Sequence, residues 1–228
     1  MTATDDPART VPALLEELDG LADPRILEVN RRHGDEHAVN LSALRAVAKR
    51  LRSDHELALA LWATGQVDAR LLALLIAKPR LLSPEELDAM LREAGTPKVQ
   101  DWLVNYMVRK SKHTEELRGR WMEDPDPVVQ SAGWALTSEA VAKRPEVLDL
   151  PALLDDVEAR MATAPERLQW AMNQTLATIG IEHPELRERA LAIGERLGVL
   201  RDYPTAAGCI SPFAPIWITE MVARREEA

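Results

Sequence analysis

A chain of 228 residues with 46% hydrophobic side chains is long enough to bury one substantial core, or two small ones. With 29% charged residues and no apolar run near the roughly 18 residues that a membrane span needs, a transmembrane helix is excluded. The acidic opening MTATDDPART lacks the apolar stretch of a secretory signal. A lone cysteine, Cys209, excludes an internal disulfide framework and a cysteine-based zinc site, so a cytoplasmic protein is expected. The formal net charge of −9 argues against a protein that coats nucleic acid over its whole surface, yet the charge is uneven. Residues 1–40 carry a net −5 and residues 121–198 a net −7, whereas residues 41–120 hold 14 basic against 10 acidic side chains. A basic island inside an acidic chain permits a local phosphate-facing surface.

Ala, Leu, Glu and Arg dominate and no segment alternates with period two, so the chain reads as helical throughout. An opening helix is expected near 11–21. Asp23-Pro24 places a cap and a first-turn proline at the next start, and Gly34 ends it. Asn40 caps a helix to Arg52, Asp54 caps one that stops at Gly65, and Val67 to Lys78 forms another, closed by Pro79. Ser83-Pro84-Glu85-Glu86 is a capping box. Thr96-Pro97 opens a helix through Lys110, Thr114 one through Met122, and Asp126-Pro127 one to Lys143. Leu150-Pro151, Ala164-Pro165 and His183-Pro184 open three more, and a closing helix follows near 213–225.

Short helices in such regular succession predict an all-α solenoid, a superhelical arc of about six HEAT-like antiparallel helix pairs. A single domain over 1–228 is expected, with an acidic N-terminal cap (1–24), repeats (25–198), and an irregular loop leading to a closing helix (199–228).

Four patterns carry a family resemblance. They are LSALR at 41–45 with DHELA at 54–58, Leu61-Trp62 and Asp68-Ala69-Arg70; the stretch Asp101-Trp102 to Asn105-Tyr106; VVQSAGWAL at 128–136; and AMNQTL at 171–176, ending at Ile179-Gly180. In order and spacing over residues 25–198 the chain resembles the HEAT-like-repeat alkylpurine DNA glycosylases, the AlkD-like DNA alkylation repair proteins. The resemblance implies recognition of duplex DNA through a concave cleft. In the family a carboxylate stabilises positive charge developing on the deoxyribose as an alkylated purine leaves, and aromatic faces meet the cationic lesion.

The pattern departs at its chemical centre. The family's tryptophan and catalytic aspartate lie four residues apart; Trp102 matches the first, but the second position is Tyr106, preceded by Asn105. A phenol is uncharged at neutral pH and supplies no carboxylate. Asp101 is no substitute, lying about 140° around a helix from Tyr106. The family's phosphate-binding arginine aligns with Ser131, and its second pocket tryptophan with Gln174. The resemblance therefore implies weak or no base excision.

Trp102, Asn105, Tyr106, Ser131, Trp134, Asn173 and Gln174 are the candidate cleft residues, with Tyr106 at the substituted catalytic position. Trp102, Trp134 and Trp170 either form an aromatic cleft for a base or sugar or pack helix on helix in the core, and the adjacent amides Asn173 and Gln174 either bridge helices or face a ligand. Candidate phosphate contacts are Arg45 and Lys49, then Arg109, Lys110 and Lys112 in the basic run after the tryptophan helix. Cations at a helix end are also what the helix dipole favours. No cofactor or metal is expected: there is no glycine-rich phosphate loop, and Gly34 interrupts the pair His33 and His37. The other reading is a helical-repeat scaffold that binds a protein partner and no DNA, which the acidic balance suits.

Overall fold

Side-chain caps set most of the helix starts, as the punctuation of the sequence predicts. In the computed structural model, which describes residues 7–227, the Arg25 amide donates to Asp23 Oδ1 at 2.8 Å, opening α2 (Pro24–Arg31) after α1 (Val11–Leu21). Asn40 Oδ1 accepts from the Ser42 amide and Asp54 Oδ1 from the Leu57 amide, starting α3 (Leu41–Leu51) and α4 (His55–Trp62). After α5 (Val67–Ile76), the reciprocal Ser83–Glu86 capping box opens α6 (Pro84–Glu93). Then come α7 (Pro97–Trp102), α8 (Thr114–Met122), α9 (Pro127–Lys143), α10 (Leu150–Arg160), α11 (Glu166–Glu182), α12 (Pro184–Leu197) and α13 (Ala214–Glu226). Among the described residues there is no strand, only an isolated bridge between Ala22 and Val39, and no helix long and apolar enough to cross a membrane.

One predicted helix differs. The sequence reads as one continuous helix from Pro97 to Lys110, but the α-helix ends at Trp102. A π-helical turn follows over 103–107, then a 3₁₀ turn over 108–110. The Val108 amide reaches back to the Leu103 carbonyl, the five-residue bond that widens the turn.

The chain divides into two compact units, residues 1–115 and 116–228. In the first, α5 is the central helix: Ala69, Leu71, Leu72, Leu74 and Ile76 are buried, and α3, α4 and α7 pack on it. Leu44, Val47 and Leu51 form the inward face of α3, which turns Arg45 and Lys49 outward. Burying roughly four such leucine or isoleucine side chains contributes about 6–12 kcal/mol of gross hydrophobic stabilisation, before chain entropy opposes it.

The link between α2 and α3 is held by polar groups. Asp68 accepts from the amides of Ala38 and Val39, at 3.0 and 3.1 Å, and Asp35 accepts from the Lys98 amide at 2.7 Å. His37, between them, is 4% exposed, and its Nε2 lies 2.9 Å from the Asn30 side-chain amide. Accepting that bond requires neutral imidazole protonated on Nδ1. Burial pushes His37 below its ordinary 6.5, against the opposite pull of Asp35 and Asp68. The unfolded chain therefore takes up the proton first. The contribution of His37 is complete above about pH 6.5 and is lost as pH falls toward the depressed folded value. Urea midpoints of wild type and His37→Gln are expected to diverge least near pH 5.5 and most near pH 7.5; a constant difference overturns this assignment.

In the second unit α9 and α11 pack along their length, with α12 and α13 against α11. Trp134, Leu154, Val157, Met172, Leu176 and Ile193 are central to this core. The closing helix sits close because Gly194 has no side chain: a Cβ there would meet the Pro215 ring at 2.7 Å.

Candidate functional site

The amphipathic pattern of residues 102–110 decides what the π turn presents. Trp102, Leu103, Val104, Met107 and Val108 are buried, so Asn105, Tyr106, Arg109 and Lys110 fall on the accessible side. Trp102 and Tyr106 meet edge to face, with ring centroids 5.2 Å apart and planes at 71°, a favourable aromatic geometry. The Arg45 guanidinium, carried on α3, lies 5.0 Å from the Trp102 ring centroid. Arg45 also donates to the Tyr106 hydroxyl at 3.5 Å, a long bond, and to the Leu41 carbonyl at 3.4 Å. The Lys110 ammonium stands 5.0 Å from the Tyr106 ring centroid. Arg109 donates to Asn105 Oδ1 at 2.6 Å.

Six of the sequence-predicted residues thus come together in the first unit: Arg45, Trp102, Asn105, Tyr106, Arg109 and Lys110. Their chemistry is cationic and aromatic. Among the described residues no carboxylate pairs with Arg45, Lys49 or Lys110, although Arg50, on the same helix, is committed to Glu17. Lys49 and Lys112 are exposed. Arg52, which ends α3, is held at φ 59° and ψ −165°, backbone that favours glycine and costs roughly 1–3 kcal/mol for other residues. The sequence names these residues but not the π turn that joins them.

Of the four candidates in the second unit, Trp134, Ser131 and Asn173 are engaged in its own packing and hydrogen bonds. Trp134, expected to line the cleft, has 0% exposure and lies in the hydrophobic core, where it offers no face to a ligand. Ser131 turns its hydroxyl onto the Pro127 carbonyl at 2.6 Å, satisfying itself within α9. Asn173 is 1% exposed and donates to the Pro212 carbonyl at 2.8 Å, tying α11 to the approach of the closing helix. Gln174 is exposed. Trp170, the third tryptophan singled out in the sequence, is half-buried and meets Tyr203 edge to face, with ring centroids 5.0 Å apart, a pairing that the sequence does not disclose. Exposed Cys209 lies in the same irregular stretch.

Comparison with known proteins then decides the family. A model of the DNA alkylation repair enzymes matches residues 14–215. The chain belongs to that family. It is 25% identical over 219 residues to an uncharacterized protein of Listeria innocua, covering 92% of this chain and 96% of the relative. An uncharacterized protein of Listeria monocytogenes is 25% identical over 199 residues, covering 83% and 87% of the two chains. A solved structure superposes with a TM-score of 0.76 over 95% of each chain, at 25% identity. It represents a family of proteins related to the HEAT-like repeat DNA glycosylases with affinity for branched DNA structures. The all-α, HEAT-like repeat fold expected from the sequence is therefore the fold of this chain.

Proposed function

We propose that this protein binds DNA, branched DNA included, through the exposed cations of its first unit, and that it excises alkylated bases weakly or not at all. The observation that carries the reading is the environment of Tyr106. Where the glycosylase pattern calls for a carboxylate, this chain has a phenol against an indole, with Arg45 and Lys110 beside it. Such a group does not stabilise a developing oxocarbenium ion, whose charge requires a negative or strongly accepting neighbour. The same cations, with Lys49 and Lys112, suit phosphate. The solved relative with affinity for branched DNA supports a function that does not depend on base excision.

A salt titration tests the binding half, using plain duplex, a four-way junction, and a duplex carrying a cationic 3-deaza-3-methyladenine analogue. Binding that weakens steeply with salt, favours the junction and ignores the analogue is the expected result. Base release from alkylated DNA should stay at or close to the uncatalysed rate. Absence of binding to all three at low salt rejects the reading and turns attention to a protein partner. Release well above background rejects the catalytic half.

A further inference from the structure

The indole face of Trp102 already carries a cation, and that cation belongs to the protein. Arg45 lies 5.0 Å from the ring centroid, within the range in which a guanidinium is attracted to an aromatic face. A cationic base seeking the same face must displace Arg45, and then meets Lys110 beside the neighbouring phenol. Tyr106 adds a further feature. Its oxygen accepts from Arg45, and among the described residues its O–H donates to no other group, so one donor remains unspent on a half-exposed side chain.

We propose that the position of the family's catalytic carboxylate has become a phosphate seat. Tyr106 O–H and the Arg45 guanidinium donate to a phosphate oxygen of a DNA strand, Lys110 supplies charge beside them, and the seat selects against a cationic base. This rests on the DNA-binding reading above and gives it an address. Burial of the apolar side of the π turn fixes the backbone that carries Tyr106. Arg45 is oriented by the indole and by the Leu41 carbonyl, so less rotamer freedom is lost when it meets an anion.

The experiment measures affinity for the four-way junction against salt for wild type, Tyr106→Phe, Arg45→Gln, Lys110→Gln and Tyr106→Asp. The control is Arg189→Gln, which removes a cation of the second unit already paired with Asp155. Arg45→Gln and Lys110→Gln should each reduce the slope of log affinity on log salt by about 1. Tyr106→Phe should lose roughly tenfold in affinity with little change of slope, because it removes a hydrogen bond to a charged group and no charge. Tyr106→Asp should lose more on plain DNA, and should raise the affinity ratio of cationic-analogue duplex to plain duplex above that of wild type. Arg189→Gln should keep the wild-type slope. Junctions with 5′-hydroxyl and 5′-phosphate ends separate the sources of the phosphate. A dependence on the 5′-phosphate assigns the seat to a strand end, and independence assigns it to an internal diester. Wild-type binding with unchanged affinity and slope in Tyr106→Phe, Arg45→Gln and Lys110→Gln overturns the seat while leaving DNA binding intact. Failure of wild type to bind any DNA overturns both.

Discussion

Gly133→Ala is expected to destabilise the protein by about 2 kcal/mol, although alanine is the better helix former by up to about 1 kcal/mol. A Cβ at position 133 would stand 2.7 Å from the Met122 amide nitrogen and 2.8 Å from the Trp121 carbonyl carbon. Both are backbone atoms, so no side-chain rotation relieves the overlap and the end of α8 must move away from α9. That end is also tied to α9 by a hydrogen bond that the movement would break. Gln130 donates to the Met122 carbonyl at 3.0 Å, and Arg160 holds Gln130 with a 2.7 Å bond to its Oε1. Trp121 has 0% exposure. Overpacking of this kind costs roughly 1–3 kcal/mol and occasionally more, which outweighs the gain in propensity. The control is Gly119→Ala in α8, where nothing lies within 4 Å of the added carbon. It should stabilise by about 0.5–1 kcal/mol. Denaturant midpoints of the two variants should therefore move in opposite directions; a shift of both upward would mean that the approach at Gly133 is not tight.

The contrast shows what the sequence does and does not disclose. Asp23, Asn40, Asp54, Ser83 and Asp126 mark helix starts because a cap is a local bond, made between a side chain and an amide two or three residues on. Gly133 is illegible for the opposite reason: its partner is a backbone eleven residues away in sequence, and only packing brings the two together. Asp68 is similar, since the amides it binds belong to Ala38 and Val39. The π turn after Trp102 leaves no compositional trace, because helix propensity does not distinguish a four-residue bond from a five-residue one.

The candidate site is split in the same way. Trp102 and Tyr106 share a side whether the turn is α or π, so their pairing is legible from spacing alone. Arg45 is nominated by its charge, but its place over Trp102 depends on the packing of α3 and α7 on α5. Trp134 could not be sorted from Trp102 by sequence: each stands in a predicted helix with both polar and apolar residues within a turn of it, and one proves to be core while the other meets Arg45 and Tyr106.

Trp102→Ala should cost about 3–5 kcal/mol, the usual penalty for emptying a site filled by a large aromatic ring, since Trp102 is only 6% exposed. It should also weaken DNA binding at temperatures where the variant remains folded. The second effect does not follow from the first. Removing the indole takes away the face that orients Arg45 and the edge-to-face partner of Tyr106, so the donors of the phosphate seat survive but lose their preorganisation. Trp102→Phe separates the two roles. A smaller ring still fills much of the volume and limits the stability loss, while holding a guanidinium less well than an indole does. Binding should therefore fall in Trp102→Phe out of proportion to its stability, with circular dichroism confirming the fold and junction affinity read at one salt concentration. Unchanged affinity in a folded Trp102→Ala would reduce the tryptophan to a core residue. The expected result explains instead why the indole persists where the carboxylate does not: a ring that would face a cationic lesion now holds the chain's own cation, and through it an anion.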